Sequence, residues 1–319
     1  MSDSRPVLVS GVKPTGDLHI GNYFGAMRQF VELTKTGKYR PFIFIADYHA
    51  LNSIQDAEEM RRRTREIVMA YLAIGLDPRE VVFFKQSDVP AHTELCWIFD
   101  TITTMPCLMR AHAYKDAEAK NKELNVGTFN YPMLMAADIL MYDAAIVPVG
   151  ADQKQHIEYA RDTAEKFNRV FKTDVFKLPE AYIMSDVAVV PGTDGQKMSK
   201  SYGNVIPLFA SRDELAKAVM SIVTDTSGER PENVYEIHKL VRSEQELETI
   251  YNEHRGNYKV LKELLIEDLD RYLAPMRATY EELQQDAGLV NDVLARGKQE
   301  ARAISEQKME QVRKAIGVA

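Results

Sequence analysis

Cysteine is nearly missing from this chain of 319 residues, in which only Cys96 and Cys107 occur. Neither belongs to a C-x-x-C pair, and their spacing from His92 and His112 fits no common zinc-binding pattern. A disulfide framework and a structural zinc site are therefore not expected, and both thiols are interpreted as ordinary buried side chains. We predict no metal site built by the protein itself.

Long apolar runs are also missing, since none approaches the roughly 20 residues that a membrane-spanning helix needs. The first six residues lack the apolar core of a signal peptide. Apolar residues make up 45% of the chain and charged residues 27%, as in ordinary globular proteins. We therefore expect a cytoplasmic protein that has no membrane partner.

Positive charge is not in excess, because the formal net charge of the chain is −7. This charge argues against sequence-blind binding of nucleic acids through a basic coat. A local basic stripe could still contact RNA, and two candidate stretches lie within residues 61–65 and 296–314. A solvated helix face explains each stretch equally well.

Two common nucleotide-binding motifs, G-x-G-x-x-G and G-x-x-x-x-G-K-[ST], do not occur. Their absence argues against NAD-dependent enzymes and against ordinary kinases and GTPases. Residues 14–22 instead form a Pro- and Gly-containing turn that follows an apolar run. The helix that begins there would present unpaired N–H groups to a phosphate, and His19 and Asn22 would add neutral donors.

A second phosphate-binding segment, residues 192–201, has the sequence Gly-Thr-Asp-Gly-Gln-Lys-Met-Ser-Lys-Ser. Its glycines allow a sharply bent loop, and Lys197 and Lys200 carry ammonium groups on that loop. Such groups can stabilise the negative charge that develops on a pyrophosphate leaving group. Together, the two segments indicate an enzyme that activates a carboxylate with ATP and uses no protein nucleophile.

Short apolar runs alternate with helical patterns in the first half of the chain. Continuous apolar runs between helices predict strands that are covered on both faces, hence a parallel α/β sheet. The predicted strands are residues 6–9, 42–45, 81–84 and 146–149, and the helices between and after them are residues 22–36, 57–75 and 153–168.

Residues 99–131 interrupt this alternation and are interpreted as a partly helical insertion between the two halves of the sheet. From residue 211 onward, only helical patterns with apolar residues at three- and four-residue spacing occur. We predict a catalytic domain over residues 1–208 and an all-helical domain over residues 209–319.

The motifs carry a clear resemblance to class I aminoacyl-tRNA synthetases. Residues 19–22 (His-Ile-Gly-Asn) resemble the HIGH motif of that class, and residues 197–201 resemble its KMSKS motif. Within the class, the chain is similar to the tryptophanyl-tRNA synthetase family, in which Asn is typical at the end of the first motif. Residues 131–140 and 147–156 match the same family. The resemblance is dense over residues 9–204 and more diffuse beyond.

This resemblance implies a Rossmann-like catalytic domain, a helical domain that binds the anticodon, and a homodimer formed partly by the insertion. It also implies that ATP, accompanied by Mg²⁺, activates L-tryptophan to tryptophanyl-adenylate. The tryptophanyl group would then be transferred to the 3′-terminal ribose of tRNA(Trp).

By matched position, Asp138 would accept a hydrogen bond from the indole N–H, which its charge and burial would strengthen. Without the resemblance, a helical aspartate paired with a distant arginine is an alternative. His49 matches a pocket position, although a core histidine is equally consistent with its surroundings. Gln153 and Tyr131 would meet the α-ammonium group. The other expected contacts of the amino acid are Met135, Ile139, Val147 and Val149.

The resemblance also implies an ATP site, in which Asp152 would accept a ribose hydroxyl and Lys115 of the insertion would reach a phosphate. The residues expected to take part in catalysis are His19, Asn22, Lys197 and Lys200. The full set expected around ATP is Lys13, Pro14, Thr15, Gly21, Asn22, Lys115, Gly150, Ala151, Asp152, Val190, Lys197, Met198, Ser199, Lys200 and Ser201.

Three positions depart from the family pattern. Lys13 replaces a common glutamine and adds a cation beside the phosphates. Ala151 stands where glutamate is frequent, and Ala117 stands where many relatives carry a second lysine. The distribution of phosphate contacts within the insertion is therefore left open.

Alternative functions share parts of this pattern. A tyrosyl-tRNA synthetase has the same fold and both loops, and Asp138 could accept from a phenol as well as from an indole. A catalytically inactive, synthetase-like tryptophan sensor would have no need of Lys197 and Lys200. A nucleotidylyltransferase with an H-x-G-H turn would leave the helical last third of the chain unexplained.

Overall fold

A parallel β-sheet forms the centre of the molecule. Its strands are β1 (Val7–Val12), β2 (Arg40–Ile45), β3 (Val82–Lys85), β4 (Ile146–Val149) and β5 (Glu180–Ile183). The described strands are all parallel and follow the order β3-β2-β1-β4-β5. The computed structural model describes residues 3–14, 16–111, 114–115, 118, 124–150, 154–183, 189–224 and 230–319.

The sheet is covered on both faces, as its continuous apolar runs predict. Leu8 and Ile43 are buried in one apolar cluster, whereas their chain neighbours Val9 and Phe42 are buried in another. Successive side chains of a strand point to opposite faces, so each face contributes to its own core. The prediction of a parallel α/β sheet is confirmed.

Strand β1 lies in the middle of the sheet, and the side on which further strands are added reverses there. The chain first adds β2 and β3 on one side and later adds β4 and β5 on the other. In open parallel sheets, ligands bind in the crevice that such a reversal leaves at the carboxyl ends of the strands. The expected site therefore lies beyond the ends of β1 and β4.

Strand β5 was not among the strands predicted from the sequence. It lies at the edge of the sheet, and Tyr182 and Ile183 are 41% and 44% exposed. A short edge strand that is open to solvent lacks the continuous buried run that marked the other four strands.

Helices surround the sheet and continue beyond it. Before the last third of the chain they are α1 (Ile20–Asn22), α2 (Arg28–Lys35), α3 (Asp47–Ala50), α4 (Ala57–Ala73), α5 (Ala91–Ile102), α6 (Met105–Leu108), α7 (Val126–Leu140) and α8 (Lys154–Phe171). A π-helix, Tyr23–Met27, links α1 to α2, and 3₁₀ turns span Gln86–Asp88 and Lys200–Tyr202.

The last third of the chain is helical, as predicted. Its helices are α9 (Arg212–Met220), α10 (Glu232–His238), α11 (Glu244–Glu253), α12 (Tyr258–Gln285) and α13 (Ala287–Ile316). Side-chain caps set several of their starts; for example, Ser211 and Ser243 accept hydrogen bonds from the backbone N–H groups of Glu214 and Glu246. No helix in the described part of the chain is long and apolar enough to cross a membrane.

Helix α13 packs back against strand β3 of the sheet. Arg302 Nε donates to the Asp88 carbonyl at 2.5 Å, and Lys308 Nζ lies 2.7 Å from Asp143 Oδ1. Arg313 pairs with Glu94 at 2.7 Å. Several cations of the basic stretch 296–314 thus form hydrogen bonds or ion pairs with other parts of the protein. The boundary at residue 208 stays a prediction.

Candidate active site

The two motif segments lie side by side in the fold. Ile20 N donates to Ile206 O at 3.0 Å, and Leu208 N donates to Leu18 O at 2.9 Å. The HIGH-type turn is therefore paired with the chain that leaves the lysine loop, although nearly two hundred residues separate them. A backbone connection of this kind holds both segments at the same crevice.

A cleft of about 930 Å³ opens beyond the carboxyl ends of β1 and β4. Its walls combine apolar side chains, polar groups and backbone from the two motif segments. The predicted site residues that line it are Lys13, His19, Gly21, Asn22, His49, Tyr131, Met135, Asp138, Ile139, Val147, Val149, Gly150, Val190, Lys197 and Met198.

Other predicted residues lie elsewhere. Pro14 lines a second cavity of about 210 Å³ between the first turn and the helical region. Neither cavity is lined by Lys115, Ser199, Lys200 or Ser201. Thr15, Ala117, Ala151, Asp152 and Gln153 lie outside the described residues.

Lys200 lies against the first turn rather than in the main cleft. A Cβ atom added at Gly16 would collide with Lys200 Nζ and would come within 3.3 Å of Arg63 Nη1. Gly16 also has a φ of +66°, a conformation that favours glycine. The turn can thus follow this path and accept the lysine only because Gly16 has no side chain.

Asp138 is fully buried and accepts hydrogen bonds from three side chains. His49 Nε2 lies 2.9 Å from Oδ2, and His92 Nδ1 lies 2.5 Å from Oδ1. Gln86 Nε2 donates to both oxygens, at 2.8 and 2.9 Å. Burial alone would raise the pKa of Asp138, but the hydrogen bonds from the two histidines outweigh it and lower this pKa. The carboxyl group is held as an anion.

From the sequence, a distant arginine was an alternative partner for Asp138. Among the described residues, no arginine hydrogen-bonds to this carboxylate. Two histidines and a glutamine surround the carboxylate instead. Gln86 was not singled out from the sequence, and His92 was considered there only as a zinc ligand and rejected. A signal was available, because Gln86 follows β3 directly and so belongs to the same crevice as the ends of β1 and β4.

Tyr131 forms a second polar group at the cleft. Its hydroxyl lies 2.7 Å from His156 Nε2, and its ring meets the ring of His49 edge-on at 6.3 Å between centroids. Burial raises the pKa of Tyr131, so the hydroxyl keeps its proton. His156 also lines the cleft and was not singled out from the sequence.

The lysine loop is held at its base by one buried side chain, Asn204. Asn204 Oδ1 accepts from Ser199 N at 2.8 Å, and Asn204 Nδ2 donates to Asp194 Oδ1 at 2.6 Å. Met198 N also donates to Val190 O at 2.9 Å. The backbone around Met198 is therefore well fixed, whereas the side chain of Lys197 is exposed at the cleft.

His19 is a neutral group at the start of the first helix. Burial first, and the Lys200 ammonium second, lower the pKa of His19 to about 4. Its Nδ1 atom is buried and has no hydrogen-bond partner among the described residues. A buried polar atom without a partner at a cleft is available for a ligand.

The described residues contain no group of three or more His, Cys, Asp or Glu that could hold a metal ion. The polar groups of the cleft are instead suited to hydrogen bonding and to the binding of anions.

The chain is similar to known proteins over nearly its whole length. The model of the family described as tRNA synthetases class I (W and Y) matches residues 1–287. The tryptophan–tRNA ligase of Fusobacterium nucleatum is 46% identical in an alignment 318 positions long that covers 97% of each chain.

Solved structures agree. A tryptophanyl-tRNA synthetase from Campylobacter jejuni, described as complexed with ADP and tryptophan, is 42% identical with a TM-score of 0.90 and covers 97% of this chain and 99% of its own. The Mycoplasma pneumoniae tryptophanyl-tRNA synthetase is 28% identical with a TM-score of 0.80, over 99% and 98%. The chain therefore belongs to the tryptophan–tRNA ligase family of class I aminoacyl-tRNA synthetases.

Proposed function

We propose that the main cleft binds ATP and L-tryptophan together, forms tryptophanyl-adenylate, and delivers the tryptophanyl group to tRNA(Trp). The observation that carries the proposal is a buried carboxylate in the same cleft as both motif segments. Asp138 supplies the acceptor, while His19 and Lys197 face the same space. This combination suits a reaction that joins the carboxylate of an amino acid to a nucleotide, where the side chain of that amino acid is a nitrogen heterocycle.

The tryptophan pocket is proposed around Asp138. The indole N–H donates to the carboxylate, and a charged acceptor makes this hydrogen bond stronger than a neutral one. Ile139 and Val147 are 3% and 6% exposed and provide apolar walls, and Met135 and Val149 complete them. Tyr131, together with Gln153, meets the α-ammonium group. His49 contacts Asp138 at the border of this pocket.

The ATP site is proposed along the two loops. Gly21 allows a phosphate to approach the start of the first helix, where His19 Nδ1 meets it. The N–H groups of Ile20 and Asn22, expected to be unpaired, already donate to Ile206 O and His19 O. Lys13 adds a cation at the same wall of the cleft. Gly150 and Asp152 bind the ribose, Val190 lies near the adenine, and Lys115 reaches a phosphate from the insertion.

Catalysis is proposed to depend on the lysine loop. The ammonium groups of Lys197 and Lys200 stabilise the charge that develops on the leaving pyrophosphate. Lys200 lies against Gly16 in this structure, so it must move into the cleft to reach the phosphates. Closure of the loop over ATP brings it there.

Magnesium is proposed to enter as part of the substrate, bound to the phosphates of ATP. The described residues offer no cluster of acidic or histidine side chains that would hold it independently. The protein's own contribution at this place is cationic, from Lys13, Lys197 and Lys200.

A homodimer in the cytoplasm and a tRNA-binding role for residues 209–319 complete the proposal. Large apolar side chains are exposed in and beside the insertion, where Trp97, Met105 and Val126 are 71%, 58% and 80% exposed. Such side chains are typical of surfaces that a partner covers. Sedimentation of the wild type and of Trp97→Lys tests the dimer, because the variant should sediment as a monomer.

Pyrophosphate exchange with single amino acids tests the central proposal. Exchange should require tryptophan, and purified tRNA(Trp) should then accept the tryptophanyl group. Exchange with tyrosine only would identify a tyrosyl-tRNA synthetase. Folded protein that binds ATP and tryptophan without exchange would identify an inactive sensor.

A further inference from the structure

Two buried side chains, Tyr142 and His92, lie behind the Asp138 carboxylate, on the side away from the cleft. His92 is fully buried and Tyr142 is 3% exposed, and neither lines the cleft. His92 Nε2 lies 2.7 Å from the Tyr142 hydroxyl, while its Nδ1 lies 2.5 Å from Asp138 Oδ1. The three side chains form one hydrogen-bonded row, of which only Asp138 reaches the cleft.

The direction of the hydrogen bonds in this row follows from the chemistry of its members. An ionised carboxylate only accepts, so His92 Nδ1 must carry the hydrogen that faces Asp138. In a neutral ring, Nε2 is then an acceptor, and the Tyr142 hydroxyl donates to it. Burial, followed by the charge of Asp138, raises the pKa of Tyr142 well above its usual value. Tyr142 therefore keeps the proton that it donates.

Aromatic rings hold this row in place. The Tyr142 ring stacks on Phe42 of β2, with 4.9 Å between centroids. Phe44 and Phe84 lie 5.9 and 6.2 Å from the His92 ring. Since Phe42, Phe44 and Phe84 are themselves buried, neither ring of the row can turn without disturbing the core.

We propose that Tyr142 and His92 are positioning residues that fix Asp138 as an oriented, purely accepting carboxylate and thereby set recognition of the substrate's N–H group. This inference rests on the proposed function, in which Asp138 meets the indole. An ionised carboxylate offers about four acceptor positions. Three donors already contact it, and Gln86 shares one amide nitrogen between both oxygens. These are four contacts on four positions, so the substrate N–H takes the place of one of the two Gln86 contacts.

Other titratable groups face Asp138 as well. His49 contacts it from α3, and the charge of Asp138 helps to raise the pKa of Cys96 in α5. Burial first, then the charges of Asp100 and Asp138, raise the pKa of Cys96 to about 12, so this thiol stays neutral. A change in pH dependence after alteration of the row therefore reports on Asp138 and the two histidines.

Removal of the terminal hydroxyl, in Tyr142→Phe, tests the proposal with little loss of packing. The KM for tryptophan in pyrophosphate exchange should rise about three- to tenfold, as expected for one lost hydrogen bond. As support for the anion weakens, the pKa of Asp138 should rise. The acid limb of kcat/KM for tryptophan should then move to higher pH, while kcat and the KM for ATP stay unchanged.

Replacement of the histidine gives a second test with its own rescue. His92→Leu removes the donor and should raise the KM for tryptophan about a hundredfold, because it leaves a buried charge poorly supported. His92→Asn keeps an N–H near the place of Nδ1 and should recover most of that loss. Once His92 is Asn, adding Tyr142→Phe should change nothing further, since the row is already interrupted.

The control is Tyr251→Phe, which removes a similar tyrosine–histidine contact in the helical region. The Tyr251 hydroxyl lies 3.3 Å from His238 Nδ1, and His238 in turn contacts Asp268. This variant should exchange pyrophosphate with the wild-type KM for tryptophan. Circular dichroism of each variant checks that it is folded.

Two results would overturn the inference. One is an unchanged tryptophan KM and pH profile in both Tyr142→Phe and folded His92→Leu. The other is a loss that is equal at every pH and also affects the KM for ATP, which indicates general damage. If the wild type itself shows no tryptophan-dependent exchange, the proposed function fails instead.

Discussion

Gly297 of α13 lies against the main chain of Phe83 in β3, so closely that a Cβ atom on Gly297 would collide with the Phe83 carbonyl. The neighbouring contacts of Arg302 and Arg313 hold the helix at this short distance. The last helix and the catalytic sheet thus meet backbone to backbone, which only glycine permits.

Gly297→Ala should therefore destabilise the protein, by about 1–3 kcal/mol, the usual cost of overpacking a close contact. Urea unfolding followed by circular dichroism measures this loss. Gly288→Ala is the matched control in the same helix, because its added methyl group would meet only one side-chain oxygen, Asp286 Oδ1 at 3.1 Å, and no main chain of another element. Equal midpoints for the two variants would contradict the packing of α13 on β3.

Asp138→Asn should abolish tight binding of tryptophan and leave ATP binding intact. The amide replaces an acceptor by a group whose NH₂ faces existing donors, so we expect a rise in the KM for tryptophan of about 10²-fold or more. Exchange kinetics at varied tryptophan and ATP separate the two effects. Asp100→Asn, a carboxylate of α5 hydrogen-bonded to Asn130, is the control and should leave both constants near wild type.

Lys200→Ala should slow adenylate formation by about two to four orders of magnitude, if its ammonium contributes about 3–5 kcal/mol to the transition state. Tryptophan affinity should change little. Rapid-quench measurement of adenylate formation gives the rate directly, and Lys177→Ala, an exposed lysine away from the cleft, provides the control. Lost affinity with an unchanged rate would refute the proposed role.

The His19 ring should titrate near pH 4, because burial and the Lys200 ammonium disfavour its charged form. The unfolded chain binds a proton at this ring near pH 6.5 and the folded chain does not, so its contribution to stability is complete above pH 6.5 and is lost as pH falls towards 4. NMR of the ring C–H signals gives the pKa.

Lys200→Ala offers an internal check on that titration. Removal of the ammonium should raise the pKa of His19, since one of the two causes of its depression disappears. An identical titration in wild type and variant would mean that Lys200 spends its time away from the first turn in solution.

The sheet was predictable because β1 to β4 are buried and apolar along their length, a pattern that needs only neighbouring residues to recognise. Strand β5 was not, since its exposed edge position removes that pattern. The two loops were predicted from their glycines and polar side chains, and Asp138 was predicted from a family motif. Gln86, His92 and Tyr142 were missed, because their role depends on contacts between residues that are far apart in sequence.

The charged residues of helix α13 likewise have contacts that the sequence pattern did not identify. Within the basic stretch 296–314, the sequence allowed a solvated face or an RNA contact, and several of its cations instead bind Asp88, Glu94 and Asp143. Charge periodicity identifies a helix face, but which groups oppose that face is decided by the fold.

The packing of α13 on β3 also limits when the sheet can be fully covered during translation. The strands leave the ribosome well before residues 287–316, so the growing chain must carry β3 without its final cover. Nascent protein should therefore be most vulnerable to misassembly just before this helix emerges, when an apolar surface has been made and its partner has not.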